Sequence, residues 1–176
     1  MNIKRIFSAL VLILFAGGIL IAQDFEYIGA AKCKMCHNKS TTGAQYKVWQ
    51  SAPHSKAMES LSSEASLKYA AENGIADPTK EASCIKCHST YGHIDQNFNI
   101  GVKITEGVSC ESCHGPGSKY KSNSIMKDRE KSLANGMVIP TEETCKKCHN
   151  EENPFHKPFN YEESLKKIAH PIPVAE

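Results

Sequence analysis

The chain has no cysteine to spare and no surplus of either charge. Its 176 residues hold 21 Lys and Arg against 19 Asp and Glu, so the basic face that nucleic-acid binding requires is excluded. Sheet signal is nearly absent. Only 99–108 alternates weakly, with β-branched residues that predict one short hairpin, and helix is expected to dominate elsewhere. No cysteine precedes Cys33, which excludes lipid attachment close to the N-terminus.

All eight cysteines lie in four Cys-x-x-Cys-His pentapeptides: Cys33 to His37, Cys84 to His88, Cys110 to His114 and Cys145 to His149. With His at 8 of 176 positions, four chance histidines directly after four cysteine pairs have odds of about four in a million. The units are separated by 46, 21 and 30 residues, an irregular spacing that excludes a solenoid array. On a helix the two cysteines and the histidine of each unit lie along one face and can reach one ligand. The two thiols can add to haem vinyl groups as thioethers while the imidazole binds the iron from one side. Zinc ribbons or a disulfide framework would also use paired cysteines, but neither gives the trailing histidines a role. Four covalently bound haem c groups are expected. Cys33, Cys36, Cys84, Cys87, Cys110, Cys113, Cys145 and Cys148 would attach them, and His37, His88, His114 and His149 would be the proximal ligands.

Residues Met1–Ala22 read as a signal peptide, with Lys4 and Arg5 first, then the apolar run Ile6–Phe15, then small residues. Cleavage after Ala22 would place residues 23–176 in the periplasm or otherwise outside the cytoplasm. A retained N-terminal anchor is the alternative, because Ile6–Ala22 is near the minimum length of a membrane span. Thiols outside the cytoplasm would oxidise unless something consumed them, and thioether formation does so. Residues 23–176 give each haem roughly 40 residues, which suits one small, mainly α domain with long loops and a core made largely of porphyrin.

Local signals place further helices between the sites. Ser40–Gln50 reads as helix, and Ser51 with Pro53 reads as a cap and first-turn proline restarting a helix through Leu61, which puts His54 at a helix start. Glu64–Asn73, with Glu64 and Lys68 paired at i,i+4, should close at Gly74. Gly115-Pro116-Gly117 turns the chain sharply after the third site. Asp128–Ala134 is a short helix ended by Asn135-Gly136, Thr141 caps the helix of the fourth site, and Asn160 with Glu163 forms a capping box for a helix through Ala169.

These motifs resemble the tetrahaem cytochrome c-554 family. The likeness is carried by Tyr46, Trp49, Ser51, His54 and Ala57-Met58 after the first site, and by the string Gly107-Val108-Ser109-Cys110-Glu111-Ser112-Cys113-His114-Gly115-Pro116-Gly117. The resemblance implies a small periplasmic electron carrier, helical around four closely packed haems. Most would be ligated by two histidines, and one sometimes has an open axial position. The chain departs from the pattern beyond Gly117: where the family places a histidine, it reads Ser118-Lys119-Tyr120-Lys121-Ser122-Asn123-Ser124.

Four histidines remain after the proximal ones: His54, His93, His156 and His170. By the resemblance, His54 and His170 occupy distal positions. His93 lies five residues past His88 and so suits a neighbouring haem, and His156 sits in a Pro-flanked loop. Met126 is a further thioether candidate near the missing histidine. Lys34, Lys86, Lys146 and Lys147, in or beside the sites, read as solvated helix surface, with steering of an acidic partner as the alternative. The functional expectation is transfer of electrons between redox proteins, without bond chemistry. The alternative is a haem enzyme acting on a small nitrogen species or a peroxide at an open position, which would fall at the haem of His88 or His37.

Overall fold

A computed structural model describes residues 25–172; the leader expected over 1–22 lies outside them. The described residues form short helices joined by long loops, with no strand. No helix among them is long and apolar enough to cross a membrane. Three sites lie on helices, Ala30–His37, Ala82–His88 and Cys110–His114. The fourth begins on Glu142–Lys146 and runs past its end. His149 N still donates to Cys145 O at 3.0 Å, so the helical turn that brings the imidazole over the cysteines is kept.

Side-chain caps define several of these elements. Glu81 accepts from Ser83 N ahead of the second site, Asp128 Oδ1 accepts from Lys131 N at 3.0 Å, and Asn160 Oδ1 accepts from Glu163 N at 3.1 Å to start Tyr161–Ile168. Each satisfies a backbone donor that the first helical turn leaves without a partner. Thr141 N donates to Thr144 Oγ1 at 3.1 Å.

Several expectations are corrected. The region 40–50 is not one helix: a 3-10 turn over Ser40–Thr42 is separated from Gln45–Ser51 by Gly43 and Ala44, both with positive φ. Ser51 ends that helix instead of capping the next, its hydroxyl donating back to Lys47 O at 2.7 Å. Ala52 takes the cap position, and Pro53 opens a 3-10 turn over Pro53–Lys56 that leads into Ala57–Ser60. Lys68 pairs with Glu72 at 4.0 Å, one turn on from it, and not with Glu64. The hairpin expected over 99–108 is absent. A single bridge joins Asn99 to Tyr27 and a 3-10 turn spans Ile104–Glu106, because the residues opposite Asn99 come from the segment leading into the first site.

The apolar core is thin. Ile28, Ala30, Leu61, Ala70, Ile85, Ile94, Val102 and Tyr120 are the buried hydrophobic residues among those described, while Met35, Ile100, Phe155 and Ile172 stand largely exposed. A domain of this length ordinarily buries far more apolar side chain than that. Polar groups do much of the cross-linking. Thr90, fully buried, joins its hydroxyl to those of Ser109 at 2.9 Å and Ser112 at 2.6 Å and accepts from Ser109 N at 2.7 Å, so the chain leaving the second site is locked onto the third.

Candidate haem-binding sites

Glu111, inside the third pentapeptide, is 2% exposed. Its carboxylate accepts from Ile28 N at 3.0 Å, Gly29 N at 2.8 Å and Gly117 N at 2.7 Å, fastening the strand of chain that enters the first site to the turn that leaves the third. Burial pushes the carboxyl above its usual value, against the three backbone donors that favour its charged form. Positive φ values put Gly107 and Gly115 at either end of this segment. At Gly107 a Cβ would lie 2.5 Å from His54 O, so only glycine lets this backbone approach His54. Val108 N donates to that same carbonyl at 2.9 Å, and Trp49 Nε1 donates to Val108 O at 2.9 Å. Trp49, His54 and Gly107-Val108, far apart in sequence, thus form one support.

Two pairs of imidazoles face each other. His54 and His149 have ring centres 6.0 Å apart with planes inclined 65°, and His114 and His170 stand 5.8 Å apart at 47°. Each pair joins a proximal histidine expected from its pentapeptide to a distal histidine expected from the resemblance. Two metal–nitrogen bonds of about 2 Å each fit between rings so spaced. Burial first, then the facing imidazole, holds His54 below its ordinary pKa, and burial does the same for His114 with His170 adding to it. The neutral ring is the form that can bind iron.

The proximal rings are oriented from behind. His88 Nδ1 is 2.7 Å from Ala57 O and 3.1 Å from Ser60 Oγ, His114 Nδ1 is 3.2 Å from Val138 O, and His37 Nδ1 is 3.2 Å from Gln45 Oε1. Donation from Nδ1 to such acceptors leaves Nε2 for a metal and fixes the ring plane. His149 is held differently, stacked on Phe159 with ring centres 5.0 Å apart. His170 Nδ1 is buried with no hydrogen-bond partner, a costly state for a polar atom that ligation of a metal through this nitrogen would relieve. Gln45 Nε2 donates to Pro171 O at 3.0 Å and ties the chain beyond His170 back to the first site.

No disulfide joins any of the eight cysteines. Among the described residues no group of three or more His, Cys, Asp or Glu side chains converges on a point that could hold an ion, as a zinc ribbon would require. The thiols instead meet between sites. Cys33 lies against Cys110: their hydrogen bond and then burial raise the Cys33 pKa, and the same hydrogen bond lowers that of Cys110 against burial, which pushes it up. Cys148 is pushed up to about 12 by burial and by Cys87, and Cys113 to about 11 by burial and then Cys145. Thiols of the first and third sites, and of the second and fourth, are therefore neighbours.

The other candidates are placed less directly. His93 ends the helix Thr90–His93, exposed, near enough to Lys147 of the fourth site to feel its charge. His156 is half-buried beside a cavity of about 240 Å³ that it lines with His149 and Phe159, and its charge opposes that of His149. Met126 is half-buried at the end of the helix Asn123–Met126. Tyr120, in the stretch beyond Gly117 where a histidine is expected from the resemblance, is buried, and its hydroxyl donates to Gly115 O at 2.9 Å and His114 O at 3.2 Å. Glu111 was not singled out from the sequence. A carboxylate between the two cysteines of a site that must face backbone was its only signal.

Residues 32–115 match the family described as cytochrome c554 and c-prime. Over 158 residues the chain is 32% identical to cytochrome c-554 of Nitrosomonas europaea, an alignment that covers 80% of this chain. The chain belongs to the cytochrome c554 family. It spans 65% of the length of that curated relative. The solved structure of the reduced state of cytochrome c554 from Nitrosomonas europaea superposes with a TM-score of 0.54 at 27% identity, covering 82% of this chain and 78% of the other. The mainly helical fold agrees with that neighbour. Family membership makes this a multihaem c-type cytochrome with covalently bound haem c. The pentapeptides, the facing imidazoles and the thin apolar core fit that cofactor.

Proposed function

We propose that this chain is an exported tetrahaem electron carrier working between redox proteins, and that its four pentapeptides each hold one haem c. The observation that carries the reading is the pair of facing imidazoles, His54 with His149 and His114 with His170. Bound at such a pair, haem iron supplies a one-electron couple of low to intermediate potential. The chain's own residues hold and orient it. The cysteines fix the attachment, Ala57 O, Val138 O and Gln45 Oε1 set the planes of three proximal rings, and Glu111 and Thr90 keep neighbouring sites in register. A haem held at both axial positions, as these two pairs would hold two of the four, has none left for a substrate, which suits carrying electrons better than bond chemistry. The contacts between the first and third sites, the second and third, and the second and fourth support electron exchange among them. Residues 1–22 are the leader that exports the chain, and 23–176 the haem-binding domain.

A second reading is favoured by one observation. His37 and His88 are in neither imidazole pair, and Tyr120 spends its hydroxyl on backbone carbonyls beyond the third site. An open axial position at the first or second site would admit a small nitrogen species or a peroxide.

Electron paramagnetic resonance of the oxidised, haem-loaded protein tests both. Low-spin signals from at least two haems are expected from the two pairs. A wholly high-spin spectrum contradicts the carrier reading, and a wholly low-spin one removes the second.

A further inference from the structure

Charge is distributed unevenly over the four sites. Between Glu26 and Glu59 the chain carries no carboxylate but five lysines, Lys32, Lys34, Lys39, Lys47 and Lys56, all exposed. This is the segment that holds the first site. Along Ala30–His37, Lys32, Met35 and Cys36 follow the i, i+3, i+4 spacing of one helix stripe, and Lys39 follows just beyond the helix in extended backbone. Met35 is 71% exposed and Cys36 is exposed beside it, so an apolar patch lies over the attachment point, flanked along the chain by Lys32, Lys34 and Lys39. Lys34 Nζ sits 5.3 Å from the centre of the Tyr46 ring, a contact that steadies it without neutralising it.

The carboxylates that reach this helix do not cancel the lysines. Glu106 accepts from Ala30 N at 3.0 Å, and Glu111 accepts from Ile28 N and Gly29 N. Both are turned to backbone donors at the N-terminal end, away from Met35. The other lysine-bearing sites differ. Lys86 of the second is paired with Glu152 at 2.9 Å and Lys146 of the fourth with Glu142 at 2.8 Å, while Lys147 has Glu142, Glu143, Glu151 and Glu152 close in sequence. Among the described residues, no ion pair involves any of the five lysines around the first site.

We infer that the face centred on Met35 and Cys36 is the docking surface for an acidic redox protein, received through the positive field of Lys32, Lys34, Lys39 and Lys47. The inference rests on the electron-carrier reading above. An apolar centre with a charged rim is the form of a transient interface: the rim sets the encounter rate and the partner's sign, and the centre excludes water at contact. Because these lysines are solvated, their effect falls on association and is screened by salt.

The test uses the full haem-loaded protein and, as probe, an acidic flavodoxin in its reduced form, followed by stopped-flow absorbance at several ionic strengths. In the wild type the second-order rate constant should fall steeply as salt rises. Lys32→Glu with Lys39→Glu should slow the low-salt reaction at least about ten-fold and flatten the salt dependence, and the neutral pair Lys32→Gln with Lys39→Gln should lie between. The control pair Lys166→Glu with Lys167→Glu, on Tyr161–Ile168, should stay within about two-fold of wild type. Equal responses at the two places overturn the inference. So does a flavodoxin rate indifferent to the first-site variants when those variants lose binding to phosphatidylglycerol vesicles, which would make the occupant a membrane. Reduction of every variant by a neutral small-molecule donor separates the two layers: failure there sinks the carrier reading, whereas normal reduction with an insensitive flavodoxin rate sinks the docking surface alone.

Discussion

His54 and His149 face each other edge to face, with ring centres 6.0 Å apart, although 94 positions separate them in sequence. Nothing local brings them together. Val108 N and the side chain of Trp49 hold the backbone of His54 in place, and Phe159 stacks behind His149.

Replacing His54 therefore has a specific expected result. His54→Ala should convert one haem of the oxidised protein from low spin to high spin, and His54→Met should raise the midpoint potential of that haem, because a thioether ligand favours the reduced iron more than imidazole does. Resonance spectra and a spectroelectrochemical titration check the two outcomes.

The pairing of His114 with His170 depends on the C-terminal segment, which Gln45 ties down through Pro171 O. His170→Ala should abolish a second, distinct low-spin signal. Gln45→Ala should broaden that signal without abolishing it, since it loosens the tether and leaves the ligand.

Glu111 should matter for stability more than its place inside a pentapeptide suggests. Glu111→Ala leaves the backbone donors of Ile28, Gly29 and Gly117 buried without an acceptor, at an expected cost of about 3 kcal/mol in denaturant unfolding. The pH dependence has a definite sign. Burial raises the carboxyl above its ordinary value of 4.5, so the stabilisation linked to its protonation is full below about pH 4.5 and is lost as pH rises through the elevated value. Glu111→Gln should remove that slope.

The pentapeptides and the helical class were legible in the sequence because each follows from short-range spacing, whereas the distal roles expected of His54 and His170 came from the family resemblance. Which imidazole faces which was not legible, since His54 and His149 meet only after the chain has folded around Gly107-Val108. The same limit explains the missing hairpin at 99–108, where Asn99 bridges to Tyr27, and the role of Glu111, whose donors come from the chain preceding the first site. Ser51 was misplaced as a cap because its hydroxyl bonds back into its own helix, a competition that sequence pattern does not resolve.

Tyr120→His tests the reading of an open axial position. Tyr120 stands in the stretch where the resemblance leads to a histidine being expected, and burial raises its pKa. If the first site lacks a sixth ligand, the substitution should reduce the high-spin signal of the oxidised protein and slow its reaction with nitric oxide. An unchanged spectrum would place the open position elsewhere.

Intact mass of the mature chain, with its absorbance as the pyridine haemochrome, tests the central claim most directly. The account predicts one polypeptide beginning at Gln23 and carrying the mass of four haems, with none of the eight thiols available to an alkylating reagent. Bare polypeptide, zinc in place of haem, or reactive cysteines at any of the four pentapeptides would contradict it.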